Sequence, residues 1–252
     1  MIPKVIHWCW FGRGKKTPLI EKCIASWKKY LPEYEIKEWN EDNFDIHCNK
    51  YVEEAYNNRK WAFVTDFVRV YALYHEGGIY MDSDVEVLKP LDDFLSLPAF
   101  SGRDSANGSL TGTMGSEKGG RWVKDLLDDY EHRHFIKDDG SFDLTTNVVY
   151  TDQRMIPLGL TFEDVEFEVP GYMKLFKQEV FCPKSWKDRS YAVTPNSYTI
   201  HHFATSWHSP RDRHVNWVRD HLGKYAAIFY AVFIDRPDMV VARIFNKIKK
   251  SF

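Results

Sequence analysis

Residues 59–88 read RKWAFVTDFVRVYALYHEGGIYMDSDVEVL. From Arg59 to Glu76, Trp61, Phe63, Val64, Phe67, Val68, Tyr71, Leu73 and Tyr74 make the run apolar and aromatic, which predicts a helix packed into a core. Gly77-Gly78 predicts its C-terminal stop. IYMDSDVEVL then predicts a strand that leaves the sheet at Asp82 and Asp84. Open α/β sheets collect ligands beyond the carboxyl ends of their strands. Two carboxylates this close repel unless a positive charge sits between them. A solvated turn is one reading of the pair and a divalent-cation site is the other.

The flanking sequence predicts the same architecture. KVIHWCWF (4–11) reads as a strand and GRGKK as a turn, and Thr17-Pro18 opens a helix. Ile20, Cys23, Ile24, Trp27, Tyr30 and Leu31 keep helical spacing until Pro32, and YEIKEWN (34–40) reads as a second strand. Strand, helix, strand predicts an α/β layer fold with a parallel sheet. Downstream, SANGSLTGTMGSEKGG (105–120) reads as a mobile loop or hairpin, and a helix follows over 120–132. An acidic β-like region spans 160–182, residues 191–207 read as strand then loop, and Ser209-Pro210 opens a helix to Leu222. With no repeat or linker in sight, 1–222 is expected to form one domain and 223–252 a C-terminal tail.

Composition excludes more than it selects. The chain has 252 residues, 44% hydrophobic and 28% charged, as expected of a globular protein with a sizeable core. Its net charge of 34 − 36 = −2 argues against nucleic acid as a partner. Cys9, Cys23, Cys48 and Cys182 form no CxxC pair, so a reducing cytosol is the expected setting. The N-terminus lacks the features of a signal peptide, and the apolar run from Tyr225 to Ile234 is about half of the ~20 residues a spanning helix needs.

An Asp-x-Asp at a strand end can offer hard oxygen ligands to magnesium or manganese, leaving positions for water and phosphate. Asp66 and Arg69 lie three apart on the preceding helix, a spacing that also suits a simple surface ion pair. Their apolar surroundings favour a shared polar site instead. His201-His202 could add a nitrogen ligand, and Ser206-Trp207 could cap and cover a diphosphate. GRGK (12–15) fails the spacing of a phosphate-binding loop and is read as a turn.

Taken in order, IPKVIHWCWFG, TDFVRVYALYHEGGIYMDSDVEVL and IHHFATSW resemble the DXD-motif sugar transferases, glycosyltransferase family 32, of the capsular-polysaccharide type. The resemblance covers residues 1–98 and 198–208. It implies a GT-A fold, a Rossmann-like α/β domain with a mostly parallel central sheet that binds a nucleotide sugar. It also implies transfer of a hexose from a nucleotide-diphosphate sugar, UDP-hexose by analogy, to a polysaccharide or lipid-linked oligosaccharide, with retention at the anomeric carbon. Trp10 would stack on the base, while Asp66 and Arg69 would bind the donor sugar's hydroxyls. Asp82 would contact ribose and sugar, and the metal through water. Asp84 would ligate manganese or magnesium directly, with His201 as the C-terminal ligand and His202 the alternative. Ser206 and Trp207 would contact the diphosphate. Asp82, Asp84, Arg69 and Asp66 are thus the catalytic set, with no covalent nucleophile or base among them.

Two other functions use similar residues. A haloacid-dehalogenase-type phosphatase also carries Asp-x-Asp at a strand end, but on its first strand, and the first strand here has none. A non-catalytic nucleotide-sugar-binding protein could share the fold. At the far end, Val241, Ile244, Phe245, Ile248 and Phe252 fall on one helical face among Arg243, Lys247, Lys249 and Lys250. Such a segment suits an anionic membrane surface, so the expected location is cytoplasmic, peripheral on the cytoplasmic face of the inner membrane.

Overall fold

The computed structural model describes residues 1–104, 108–185 and 190–204, together with Val218. Met1–Phe203 form one compact unit and Ala204–Phe252 another. The domain boundary expected at 222/223 and the amphipathic tail lie outside the described residues, as does all but Val218 of the helix expected from Ser209.

β1 (Val5–Cys9), α1 (Pro18–Tyr30) and β2 (Glu35–Trp39) form the expected strand–helix–strand unit, and Thr17 caps α1 by accepting from the Ile20 N–H. α2 (Lys50–Asn57), which no periodicity announced, is capped by Asn49. α3 (Trp61–Glu76) is the expected aromatic helix. The stretch expected as one strand divides into β3 (Gly78–Met81) and β4 (Val85–Val87), which lie in different sheets. Asp82-Ser83-Asp84 occupy the break. There follow β5 (Ala99–Arg103), β6 (Ser109–Ser116), α4 (Arg121–Asp128), α5 (Asn147–Met155), β7 (Phe167–Val169), β8 (Met173–Phe176), α6 (Gln178–Phe181) and β9 (Thr199–His201).

The main sheet has the order β2-β1-β3-β6-β5-β8-β7. Five strands run one way and β6 and β7 the other, which gives the mostly parallel sheet expected. Strand order reverses at β1, with β2 on one side and β3 on the other. That switch point opens a crevice beyond the carboxyl ends of β1 and β3. Trp10 and Asp82 leave the sheet there, because Ile6 pairs Ile79 and His7 pairs Tyr80 in parallel.

Glycine- and serine-rich β6 is a fully buried strand in the middle of the sheet, not a mobile loop. Small residues serve close approach there: a Cβ at Gly115 would stand 2.1 Å from the Phe100 ring. Between the adjacent β5 residues Ser101 and Gly102 the pairing on β6 jumps from Met114 to Leu110, so Thr111, Gly112 and Thr113 arch out of the ladder. The Ser101 hydroxyl donates to the carbonyls on either side of the arch, Leu110 and Thr113.

Each face of the sheet buries a core. One gathers Tyr51, Val64, Phe67, Tyr80 and Trp122 from α2, α3, β3 and α4; the other gathers Trp8, Trp27, Ile79, Met81 and Phe181. Alternation along β3 therefore turns Tyr80, and Asp82 after it, toward α3. On the opposite face α1 supports β4: Trp27 Nε1 donates to the Val85 carbonyl at 2.7 Å, and the Val87 N–H donates to the Ser26 hydroxyl at 2.9 Å.

His7 locks the turn between α3 and β3. Its Nδ1 accepts from Trp39 Nε1 at 3.1 Å, which leaves Nε2–H to donate to the Gly77 carbonyl at 2.7 Å. Burial lowers the His7 pKa and keeps the ring in this neutral tautomer. Gly78 has φ +113°, and a Cβ there would lie 2.6 Å from the Val5 carbonyl oxygen. Gly78→Ala should therefore destabilise the fold by about 3 kcal/mol, from backbone strain and overpacking together. Urea unfolding of the variant beside wild type measures this.

Candidate functional site

The break after β3 brings Asp82, Asp84 and His201 together, with one ligand atom from each within 4.8 Å of the others. β9 supplies the histidine, paired antiparallel to β4 with His201 opposite Val85. His201 Nε2 lies 3.3 Å from Asp84 Oδ1 and 3.7 Å from Asp82 Oδ2. Its Nδ1 is buried without a hydrogen-bond partner. Burial alone would lower the His201 pKa, but Asp84 and Asp82 outweigh it and the pKa is raised. The neighbouring histidine turns the other way, as alternation along a strand requires. His202 Nε2 meets Glu86 at 2.8 Å, Glu86 also holds Lys22 at 2.9 Å, and the His202 N–H donates to the Asp84 carbonyl at 3.0 Å.

Gly112, at the crest of the β6 arch, makes room for the cluster. A Cβ there would lie 2.9 Å from Asp82 Oδ2 and 3.0 Å from the His201 ring, and the Gly112 carbonyl accepts the Asp82 N–H at 2.8 Å. Sequence reading missed this residue, because its signal lay in a segment read as a loop.

Arg69 joins the cluster from α3. Its side chain is 6% exposed, with Nη2 3.0 Å from Asp66 and 3.3 Å from Asp82. Nη1 donates to the Thr111 carbonyl at 2.5 Å, and the guanidinium lies 4.7 Å from the centre of the Tyr80 ring. Tyr80 in turn donates its hydroxyl to Asp82 at 2.8 Å. Burial works against the Arg69 charge, but Asp82, Tyr80 and Asp66 raise its pKa, so it stays a cation. Asp66 shows the opposite balance. Burial lifts its pKa from 3.8 to about 6, despite Arg69 and a 3.2 Å hydrogen bond from the Asn147 N–H.

Trp10 ends β1 at the same edge of the sheet. Its Nε1 donates to the Gly14 carbonyl at 2.6 Å, and it walls an open hollow of roughly 290 Å³ with Arg13, Lys16, Glu38, Asn40 and Asp42. The GRGK turn thus serves Trp10. Ser206 and Trp207 lie outside the described residues. Asp66, Arg69, Asp82, Asp84 and His201 form one connected group, Trp10 stands at its edge of the sheet, and His202 belongs to the Glu86 pair.

The arrangement is an α/β sheet whose switch-point strand ends in an Asp-x-Asp facing a histidine and an Arg–Asp pair. Residues 18–100 match the family model described as glycosyltransferase sugar-binding region containing DXD motif. This segment is such a region, as the resemblance in the sequence implied. The chain is similar to inositol phosphoceramide mannosyltransferase 3 of Schizosaccharomyces pombe, 25% identical over 224 residues, covering 81% of this chain and 60% of that protein. Inositol phosphoceramide mannosyltransferase 2 of the same organism is 22% identical over 233 residues, covering 88% and 63%. The chain thus spans about three-fifths of the length of these curated relatives. Among solved structures, the glycosyltransferase PaToxG superposes with a TM-score of 0.46 at 18% identity, covering 63% of this chain and 70% of its own.

The Asp66 balance gives a signed prediction. Its folded pKa lies above the ordinary carboxylate value, so its contribution to stability is fully present below pH 3.8 and is lost as pH rises through about 6. Asp66→Asn, which mimics the protonated form, should therefore gain melting temperature over wild type as pH goes from 4 to 7.5. Parallel thermal melts across that range check this, and a widening deficit of the variant would contradict it.

Proposed function

We propose that this protein is a metal-dependent glycosyltransferase that moves a hexose from a nucleotide-diphosphate sugar, UDP-hexose in the first instance, to a polysaccharide or lipid-linked saccharide. The observation that carries this reading is the cluster of Asp82, Asp84 and His201 beside Arg69 and Asp66, at the switch point of an α/β sheet.

The residues fit a divalent cation. Two carboxylates and an imidazole converge, and no Cβ at Gly112 fills the space between them. Asp84 and His201 would hold manganese or magnesium directly and Asp82 through water, and the ion would supply positive charge for the leaving diphosphate. Trp10 would stack on the base, while Asp66 and Arg69 would accept from and donate to sugar hydroxyls, and Asp82 would accept from ribose and sugar. Ser206 and Trp207 would contact the diphosphate.

In the reaction the bond between the anomeric carbon and the diphosphate oxygen breaks, and its electron pair stays on that oxygen. The acceptor hydroxyl oxygen bonds to the same face of the anomeric carbon, which retains configuration. Its proton passes to the departing phosphate. The sugar becomes oxocarbenium-like in between. Arg69 keeps Asp66 and Asp82 fixed while this happens, so the donor binds to an organised surface.

The names of the fission-yeast relatives, mannosyltransferases of inositol phosphoceramide, support a lipid-borne acceptor and put GDP-mannose beside UDP-hexoses in a donor screen. The expected result is sugar transfer or donor hydrolysis with manganese, lost with EDTA and in Asp84→Asn. Full activity after EDTA treatment would defeat the metal assignment. Arg69→Lys, which keeps the charge but loses the planar fork, should lower affinity for the sugar nucleotide while sparing the free nucleoside diphosphate. Trp10→Ala should weaken both by roughly 1–3 kcal/mol, which calorimetry resolves.

The place of action is also proposed from sequence. The basic amphipathic segment 236–252 would bring the site to the cytoplasmic face of an anionic membrane, where each cation adds about 1 kcal/mol. Anionic liposomes should pellet the full chain and release a chain lacking 236–252; equal behaviour of the two would remove the tail from this role.

A further inference from the structure

α5 begins beside the sugar-facing carboxylate. Thr146 precedes it without a side-chain cap, and the first helical residue, Asn147, donates its backbone N–H to Asp66 Oδ2 at 3.2 Å. That bond fixes the Asn147 main chain against α3, 81 residues away in sequence. The side chain is the unexplained part. Asn147 is 6% exposed, and its Nδ2 is buried without a hydrogen-bond partner. Leaving a buried amide donor unpaired costs about 1–3 kcal/mol. Apolar residues of similar size would fill the position at no such cost, so the amide calls for a polar ligand.

The chemistry of the neighbours says which. Asp66 gives Oδ1 to Arg69 and Oδ2 to the Asn147 N–H, and each oxygen keeps a lone pair for a further donor. An unpaired N–H₂ next to a carboxylate presents one donor and one acceptor side by side. A sugar carries adjacent hydroxyls, each able to donate and accept, so two neighbouring hydroxyls satisfy both groups. A phosphate would be repelled by Asp66, and an apolar group would leave both unpaired.

We propose that Asn147 is a donor-sugar specificity residue, whose side-chain amide works with the Asp66 carboxylate to read two adjacent hydroxyls of the transferred hexose. This rests on the nucleotide-sugar reading of the site. Sites that hydrogen-bond a substrate hydroxyl reject substrates lacking it strongly, because the site's own groups are then left unpaired. Epimers that move one of the two hydroxyls are therefore discriminated at Asn147. The residue acts through its side chain, so the backbone bond to Asp66 survives its substitution.

The test compares full-length wild type, Asn147→Ala and the isosteric Asn147→Asp. Each is titrated by calorimetry, in manganese, with UDP, UDP-glucose, UDP-galactose, GDP and GDP-mannose. Wild type should bind one sugar nucleotide more tightly than its nucleoside diphosphate and than the other sugars. Both variants should lose about tenfold of that sugar-dependent gain and the preference among sugars, with unchanged affinity for the nucleoside diphosphate. That unchanged affinity also shows that the variants are folded. Retention of the sugar-dependent gain in either variant overturns the assignment while leaving the functional reading in place. Equal losses for sugar nucleotide and nucleoside diphosphate make Asn147 structural and overturn it too. A wild type that binds none of the five probes overturns the functional reading, and this assignment with it.

Discussion

The Arg69 guanidinium lies against Asp66 and Asp82 and donates to the Thr111 carbonyl, so α3, β3 and β6 meet on one buried cation. A charge so buried is tolerated when its partners are close and its N–H groups are satisfied. Each of those partners also belongs to the candidate site: Asp66 faces the sugar, Asp82 flanks the metal cluster, and Thr111 starts the arch that leaves space beside His201. Removing the cation would leave two carboxylates uncompensated in a dry crevice. Arg69 is therefore at once the electrostatic centre of the fold and the organiser of the site, and the two roles cannot be separated by a large substitution.

The second constraint is space. A metal cluster beside a sheet needs a strand that steps back, and β6 does so by arching residues 111–113 out of its pairing with β5. The arch turns three carbonyls to use: Thr111 toward Arg69, Gly112 toward the Asp82 N–H and Thr113 toward Ser101. Glycine at its crest keeps the Asp82 carboxylate and the His201 ring in reach of each other. The sheet is otherwise closely packed, so the bulge is the feature that converts a strand end into a cavity wall.

Much of this was legible in the sequence where a periodic pattern met a strong stop. α1 and α3 follow from apolar spacing, capping at Thr17 and the Gly77-Gly78 turn, and Asp82, Asp84, Asp66 and Arg69 follow from their places at those boundaries. The choice between His201 and His202 was not legible, since it depends on which face of β9 meets β4. β6 was misread because glycine and serine signal loops by propensity, whereas here they mark close approach of backbone to Phe100, Asp82 and His201. α2 is short and polar on its outer face, so its apolar positions Tyr51, Val52 and Ala55 gave too few points to define a period. Asn147 lay in a run with no recognisable pattern, and its importance comes from a long-range bond that no local rule predicts.

Asp66 shows how the site departs from what stability alone would select. Burial pushes its pKa up toward neutrality, while Arg69 and the first N–H of α5 act to keep it ionised. An amide at this position would relieve the buried charge and keep most of the geometry. What an amide cannot do is present two acceptor oxygens to hydroxyl donors while also holding Arg69 and α5. The unpaired Nδ2 of Asn147 is a second departure on the same wall, again unfavourable in the empty site. A carboxylate short of donors and an amide short of an acceptor, side by side, are each a liability in isolation. Against a ring bearing adjacent hydroxyls they complete one another, and the strain held by the free protein becomes selectivity in the complex.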